Sequence, residues 1–314
     1  MSVDLHVKPS LDDVEAAQVD AVVDRVEIVD GVSPLNDDAR LALRHHRPAT
    51  LHLLARVDHR LVGYAQLERC DDAPTVVLGV DPDHRRQGVG TALVAAARAA
   101  TPRPVGFWAF HDLAPARALA QRSGLVGVRE LLLMGTKLDA DVTTPAEIPG
   151  ISIRPFVVGA DEQSWLTVNA RAFADHPEQG RTTLAELQER MAEDWFAADD
   201  FLLAVRTGHQ RSADDGAEVV GFHWTKRHSP TRGEVYVLGV DPTVESRGLG
   251  TALLLSGLHH LHDVGVTEVI LYVEAEHERA VRLYAGRGFA VWARDVMYAP
   301  PSGSPPSPGD AEEK

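Results

Sequence analysis

Two stretches of this sequence combine residue types that could hold a phosphate. In the first, Leu78-Gly79-Val80-Asp81-Pro82 leads through Arg85, Arg86 and Gln87 to Gly88-Val89-Gly90-Thr91. In the second, Leu238-Gly239-Val240-Asp241-Pro242 leads through Glu245, Ser246 and Arg247 to Gly248-Leu249-Gly250-Thr251, at a constant offset of 160 residues. Each short apolar run stops at Asp-Pro, because proline cannot donate to a ladder and restricts the residue before it. Two glycines then open a helix and leave bare amides at its positive end, a place suited to a phosphate. A Walker loop would need Gly-Lys-Ser/Thr after the second glycine, and a dinucleotide fingerprint a third glycine where Leu93 and Leu253 stand. Neither applies. A lone match of this kind is weak, but here the device occurs twice in matching positions.

The elements that must position these stretches form two blocks. The aperiodic interval 138–150 carries two prolines and a glycine, so the sequence predicts domains over 1–140 and 151–300 with a linker at 141–150. Residues 301–314 are rich in Pro, Ser and Gly and then acidic, which predicts a disordered tail. In the first block the pattern predicts helices over 11–28 and 37–46, a hairpin over 50–70 and a strand over 76–80. A helix over 88–101, a strand over 105–110, a helix over 114–123 and a strand over 126–133 complete it. In the second block it predicts strand 151–156, helices 161–174 and 183–196, strands 201–206, 219–226 and 234–240, and helix 248–262. Strand 268–274, helix 277–286 and strand 289–298 follow. Repetition at this length means duplicated domains rather than a solenoid. The fold class is α/β (α+β): two tandem domains, each a mixed, mostly antiparallel sheet flanked by helices.

Composition narrows the partners. A chain of 314 residues suits two domains of ordinary size. A formal net charge of −15 argues against a nucleic-acid or anionic-membrane binder, since both need a basic face. The single cysteine, Cys70, rules out a disulfide framework, and Asp71 and Asp72 beside it oppose a reactive thiolate. No apolar run reaches the roughly 20 residues of a membrane helix, and no signal-peptide pattern opens the chain. A cytoplasmic monomer acting on a small molecule is expected. His259, His260 and His262 near a helix end complement its dipole, and their spacing does not predict a metal site.

The pattern Arg/Gln-x-x-Gly-x-Gly/Ala after a Val-x-Pro strand resembles the GCN5-related N-acetyltransferase superfamily. That resemblance implies that the glycine-loop amides hold the pyrophosphate of acetyl-CoA, the cosubstrate, with no metal. The first copy fits with Arg85, Gly88 and Gly90, whereas Glu245 stands in the second where Arg or Gln is expected. A carboxylate there must turn away from a pyrophosphate. His277, Glu278, Arg279, Ala280, Val281 and Arg282 follow the fifth strand, where the superfamily helix meets the coenzyme, and Arg282 could neutralise phosphate. The whole chain is similar to the tandem-domain mycothiol synthase family. That similarity is carried by Val29-Asp30-Gly31-Val32-Ser33-Pro34, His176-Pro177-Glu178-Gln179-Gly180, Gly221-Phe222-His223-Trp224-Thr225-Lys226 and Gly233–Pro242. It implies transfer of acetyl to the cysteinyl amine of cysteinyl-glucosaminyl-inositol, with Asp37, Glu178, Lys226, Glu234 and Tyr272 receiving that substrate.

Amide formation needs a neutral amine, so a carboxylate able to take the proton, directly or through water, would enable attack. Glu234 is the candidate base. Four residues before Leu238 on one strand, it is expected on the same sheet face about 13 Å away. The amides of 238–240 could polarise the thioester carbonyl. By resemblance, Tyr284 protonates the leaving thiolate. Aligning Gly124-Leu125 with Gly288-Phe289 puts Ala120 opposite Tyr284, and the constant offset puts Pro74 opposite Glu234. The first domain is therefore expected to keep the coenzyme cradle without the proton-transfer groups. A tandem acetyltransferase acting on an aminoglycoside, a polyamine or a protein N-terminus, and a non-catalytic acyl-CoA sensor, remain as other readings.

Overall fold

The computed structural model describes residues 3–45, 47–69, 73–138, 142–174, 179–207, 218–244 and 248–301. Cys70 and the tail from residue 302 on lie outside them. The first half reads β1 (Asp4–Lys8), α1 (Asp13–Asp30), α2 (Asp37–Arg44), β2 (Thr50–Val57), β3 (Arg60–Glu68) and β4 (Thr75–Val80). It continues with α3 (Val89–Ala99), β5 (Gly106–Ala109), α4 (Ala114–Arg122) and β6 (Val126–Lys137). The second half reads β7 (Ile151–Pro155), α5 (Glu162–Ala172), α6 (Leu184–Met191), β8 (Phe201–Arg206), β9 (Val219–Arg227) and β10 (Arg232–Val240). It ends with α7 (Leu249–Asp263), β11 (Glu268–Glu274), α8 (Glu278–Ala285) and β12 (Ala290–Ala299).

Two differences from the sequence reading have local causes. β1 was not expected; it is a short, largely exposed edge strand whose apolar alternation is weak. α6 stops at Met191 rather than running to 196, because Trp195 and Phe196 turn in to pack on Trp224, 5.7 and 5.9 Å between ring centroids. No helix among the described residues is long and apolar enough to cross a membrane.

The chain divides into two compact units. One comprises the chain up to Leu132, Glu274–Glu276 and the chain from Ala293 on; the other comprises Leu133–Val273 and His277–Trp292. In the first unit the strand order is β1-β2-β3-β4-β5-β12, and in the second β6-β11-β10-β9-β8-β7. The final strand of the chain thus completes the first sheet, with Val296, Met297 and Tyr298 paired to Ala109, Trp108 and Phe107. Parallel ladders join β4 to β5 and β10 to β11; the other registered neighbours run antiparallel.

Each sheet is buried on both faces, which explains why its central strands read as nearly continuous apolar runs. In the first unit Leu53 and Ala55 of β2 point to α3 (Val89, Leu93, Val94), while Leu54 between them points to α1 (Val19, Val22, Val23, Val26). In the second, Leu203, Phe222 and Trp224 face α5 and α6, and Ala204 and Val220 face Leu249 and Leu253 of α7. Phe201 stacks on Trp224 at 4.4 Å with Trp165 edge-on to both. α7 lies so close to β9 that a Cβ on Gly257 would sit 2.1 Å from the His223 ring, so glycine is required there.

Candidate active site

The two glycine passages adopt one conformation. Gly88 caps α3 at φ 89°, ψ −7°, and Gly248 caps α7 at φ 90°, ψ −6°, both left-handed, and neither helix start carries a side-chain cap. The amides of Val89, Gly90 and Thr91, and of Leu249, Gly250 and Thr251, therefore open each helix without a side-chain acceptor. Upstream, the parallel ladder of β4 with β5 covers Thr75 and Val76, and that of β10 with β11 runs from Arg232 to Val235. Beyond those points the strands diverge, and the edges of residues 78–80 and 238–240 facing that gap are free of ladder pairing among the described residues. An extended pantetheine arm with a diphosphate needs such a pairing edge followed by such a helix start. The donor set fits coenzyme A in both units.

The Asp-Pro pairs do more than stop a strand. Asp81 and Asp241 are fully or almost fully buried. Asp81 accepts from the Asp83 amide at 3.1 Å and from Arg25 Nε at 2.8 Å; Asp241 accepts from the Thr243 amide and hydroxyl and from Arg171 at 3.0 Å. Burial alone would raise the Asp81 carboxyl, but the Asp83 amide and the Arg25 guanidinium outweigh it and hold it below the usual range. The Thr243 groups and Arg171 do the same for Asp241. Each aspartate ties the cradle loop to the first long helix of its own unit. The partners lie 56 and 70 residues away, so no shared sequence spacing announces them.

In the first unit the cradle opens on a cavity of about 520 Å³ lined by Leu78, Gly79, Val80, Arg85, Arg86, Gly88, Gly90 and Thr91, with Asp30, Pro34 and Ala120 among its other walls. Arg85 does not reach into it freely. Its two terminal nitrogens each donate to Asp30 at 2.8 Å, and its Nε donates to the Val80 carbonyl at 3.1 Å. Gln87 donates to the Asp83 carbonyl, and the Val89 side chain belongs to the core.

In the second unit Glu245, Ser246 and Arg247 lie outside the described residues, as does Glu178. His277 caps α8, and Glu278, Arg279, Ala280, Val281 and Arg282 form its first turns. Arg282 is exposed and donates to Glu278 at 2.8 Å. Asp37, the first residue of α2, belongs to the first unit.

Glu234 is 6% exposed, and His228 Nε2 sits 2.6 Å from its Oε2. Its register partner on β9 is Lys226 and on β11 Ile270. The expectation that Glu234 shares a face with Leu238 is overturned. The pairing of β10 with β9 slips by one residue between Val235 and Val237, a bulge at Tyr236. Leu238 and Val240 pack toward α7, whereas Tyr236 and Val237 pack toward α5 and α6. Gly233 faces Leu261 of α7, so Glu234 beside it faces α5. Lys226 lies directly across from it, and Tyr272 lies two residues beyond Ile270, so Glu234, Lys226 and Tyr272 share that face. Tyr284, on α8, is 8% exposed and edge-on to Phe289 at 5.9 Å, and burial pushes its phenol up to about 12. His260, expected to serve only the helix dipole, instead contacts the buried Asp200 at 2.6 Å.

A buried carboxylate on β10, a cradle at the end of that strand and a buried phenol on α8 form an acyl-transfer constellation. The family model described as Acetyltransferase (GNAT) family matches residues 24–125 and 170–289. The chain belongs to the GNAT acetyltransferase family. It is similar to the mycothiol acetyltransferase of Actinosynnema mirum, 44% identical over 303 residues that cover 94% of this chain and 99% of the relative. That of Kytococcus sedentarius is 46% identical over 280 residues, covering 88% and 91%. Among solved structures, a tandem GNAT protein from the clavulanic acid biosynthesis pathway superimposes with a TM-score of 0.70 at 21% identity, covering 95% of this chain and 98% of that one. At that identity the likeness shows the fold alone.

The two GNAT halves can now be compared position by position. Gly124 and Gly288 both adopt positive φ, and Leu125 donates back to Ala120 as Phe289 does to Tyr284, so Ala120 stands where Tyr284 does. Pro74 does not stand opposite Glu234. β3 and β4 pair without an extra residue, with Glu68 opposite Thr75, where β9 and β10 pair Lys226 with Glu234. The bulge residue accounts for the slip, and Thr75 is the counterpart. The first GNAT unit has a cradle and a cavity, with a methyl and a hydroxyl in place of the phenol and the carboxylate.

Proposed function

We propose that the chain is an acetyl-CoA-dependent N-acetyltransferase. It moves acetyl to the cysteinyl amine of cysteinyl-glucosaminyl-inositol and releases mycothiol and coenzyme A. The observation that carries the reading is the buried Glu234 on the same face as Lys226 and Tyr272, one bulge away from the amides of 238–240. The near full-length likeness to mycothiol acetyltransferases supports the choice of acceptor. Acetyl-CoA supplies an activated acyl group as a thioester.

The rest falls to this chain's own residues. Glu234 takes a proton from the acceptor ammonium through water and leaves a nucleophilic amine. The amides of 238–240 donate to the thioester oxygen as charge develops on it. Tyr284, kept neutral by burial, delivers its proton to the departing sulfur. The same apolar surroundings that weaken the phenol as an acid also make the thiolate more basic, so the transfer stays matched. Lys226 donates to hydroxyls of the sugar or inositol, and Glu178 adds negative charge that attracts the cationic amine. The first unit is a non-catalytic coenzyme binder under this reading. The protein acts as a cytoplasmic monomer on a small molecule, without nucleic acid, membrane or metal.

Product analysis tests the reaction class. With acetyl-CoA and the thiol-bearing acceptor, acetyl is expected on nitrogen, with the acceptor thiol still titratable. An S-acetyl product, or hydrolysis alone, would contradict it.

A further inference from the structure

The cavity of the first unit reaches both faces of its sheet. Val94, Leu119, Ala120 and Leu125 line it on the side of α3 and α4. Val26, Pro34, Trp108 and Phe110 line it on the side of α1. It lies where β4 and β5 part, after the pairing of Val76 with Phe107. At one end stand the bare amides of the α3 start and the exposed Arg86, groups that suit a diphosphate.

The rest of the wall offers little to a polar ligand. Its polar side chains are turned to partners of their own. Arg85 donates to Asp30, Ser33 accepts from Arg40 at 2.9 Å, and Tyr298 donates to Asp112 at 2.6 Å. What remains is carbon. A pantetheine arm laid from the cradle along the edge of residues 78–80 would lead into this apolar part.

Comparison with the duplicate sharpens the point. Ala120 holds the position of Tyr284, so a methyl stands where the second unit has a phenol, and that volume belongs to the cavity. On the α1 face the wall is Val26, Pro34, Trp108 and Phe110. The matching α5 face of the second unit carries Glu234, Lys226 and Tyr272 instead. The first unit has exchanged groups that receive a polar acceptor for groups that receive hydrocarbon. Such walls gain dispersion contact and lose hydrated area when carbon fills them, and an acetyl group brings a single methyl.

We propose that the first unit is a binding site for acyl-CoA whose acyl group is a short apolar chain longer than acetyl, such as butyryl. The thioester end lies between Ala120 on one face and Pro34 and Trp108 on the other. This rests on the first unit binding coenzyme A.

Trp108 makes the site observable. It is the one tryptophan of the first unit and lines the cavity, so its emission reports on this site separately from the second. The full chain is titrated with coenzyme A and with its acetyl, propionyl, butyryl and hexanoyl thioesters, and calorimetry counts the equivalents bound. Two equivalents are expected, with one of them changing an emission signal that Trp108→Phe removes. That equivalent should bind about fourfold tighter for each methylene added between acetyl and butyryl, the factor a fully buried methylene contributes. Ala120→Phe puts a ring back into the volume and should flatten the series while coenzyme A itself still binds. Ala120→Val fills less and should flatten it in part, which covers the case in which the larger variant does not fold. A wild-type series that is flat or weakens with chain length, or a slope unchanged in the Ala120 variants, would overturn the acyl assignment alone. If a single equivalent of coenzyme A binds and the Trp108 signal stays still, the coenzyme reading of the first unit fails, and the acyl assignment falls with it.

Discussion

Glu234→Gln should lower kcat for amine acetylation by about 10²–10³-fold, within the range a general base contributes. The amide has the shape of the carboxylate and can still accept from His228, so the buried site keeps its packing and one hydrogen bond. It has lost the capacity to take a proton. Acetyl-CoA affinity should be unchanged, because the cradle begins beyond the bulge at Tyr236 and on the other side of the register slip. The variant should also fold at wild-type yield, and its residual rate should rise with pH as more acceptor amine becomes neutral in solution. A loss below threefold at neutral pH would remove Glu234 from the chemistry.

Tyr284→Phe should lower kcat by about 10²-fold, the lower end expected for a lost general acid. The ring remains edge-on to Phe289 and continues to fill the same volume, so thermal stability should change little. The loss should depend on the leaving group. A donor thioester whose thiol is more acidic needs less help in departure and should lose less rate in the variant than acetyl-CoA does. Equal losses for all donors would make Tyr284 a packing residue. With a phenol pushed up to about 12, Tyr284 stays protonated across the neutral range, and no limb of the wild-type pH profile there should belong to it.

Much of this was legible in the sequence because the chain repeats itself. The offset of 160 residues located both cradles, and the structure gives Gly88 and Gly248 the same left-handed conformation. The alignment of Ala120 with Tyr284 also holds, down to the turn that follows each. What escaped the sequence shares one property: it depends on pairing between distant residues. A fixed offset is blind to a bulge, so Glu234 was placed on the wrong sheet face and Pro74 was chosen in place of Thr75. Arg85 matched a phosphate-binding pattern, yet Asp30, 55 residues earlier, holds its guanidinium. Asp81 and Asp241 read as strand stops and proved to be buried anchors. Periodicity found β6 and β12 but could not say which sheet each would complete.

The central claim is that this chain acetylates the cysteinyl amine of a cysteinyl-glucosaminyl-inositol. The most direct measurement is transfer from labelled acetyl-CoA, comparing kcat/KM for that pseudodisaccharide with free cysteine and with glucosamine. The account predicts a preference of at least about 10²-fold for the intact acceptor, since it assigns Lys226, Tyr272 and Glu234 to parts of the acceptor that neither fragment carries together. Equal rates on free cysteine, or a preference for an unrelated amine, would contradict it.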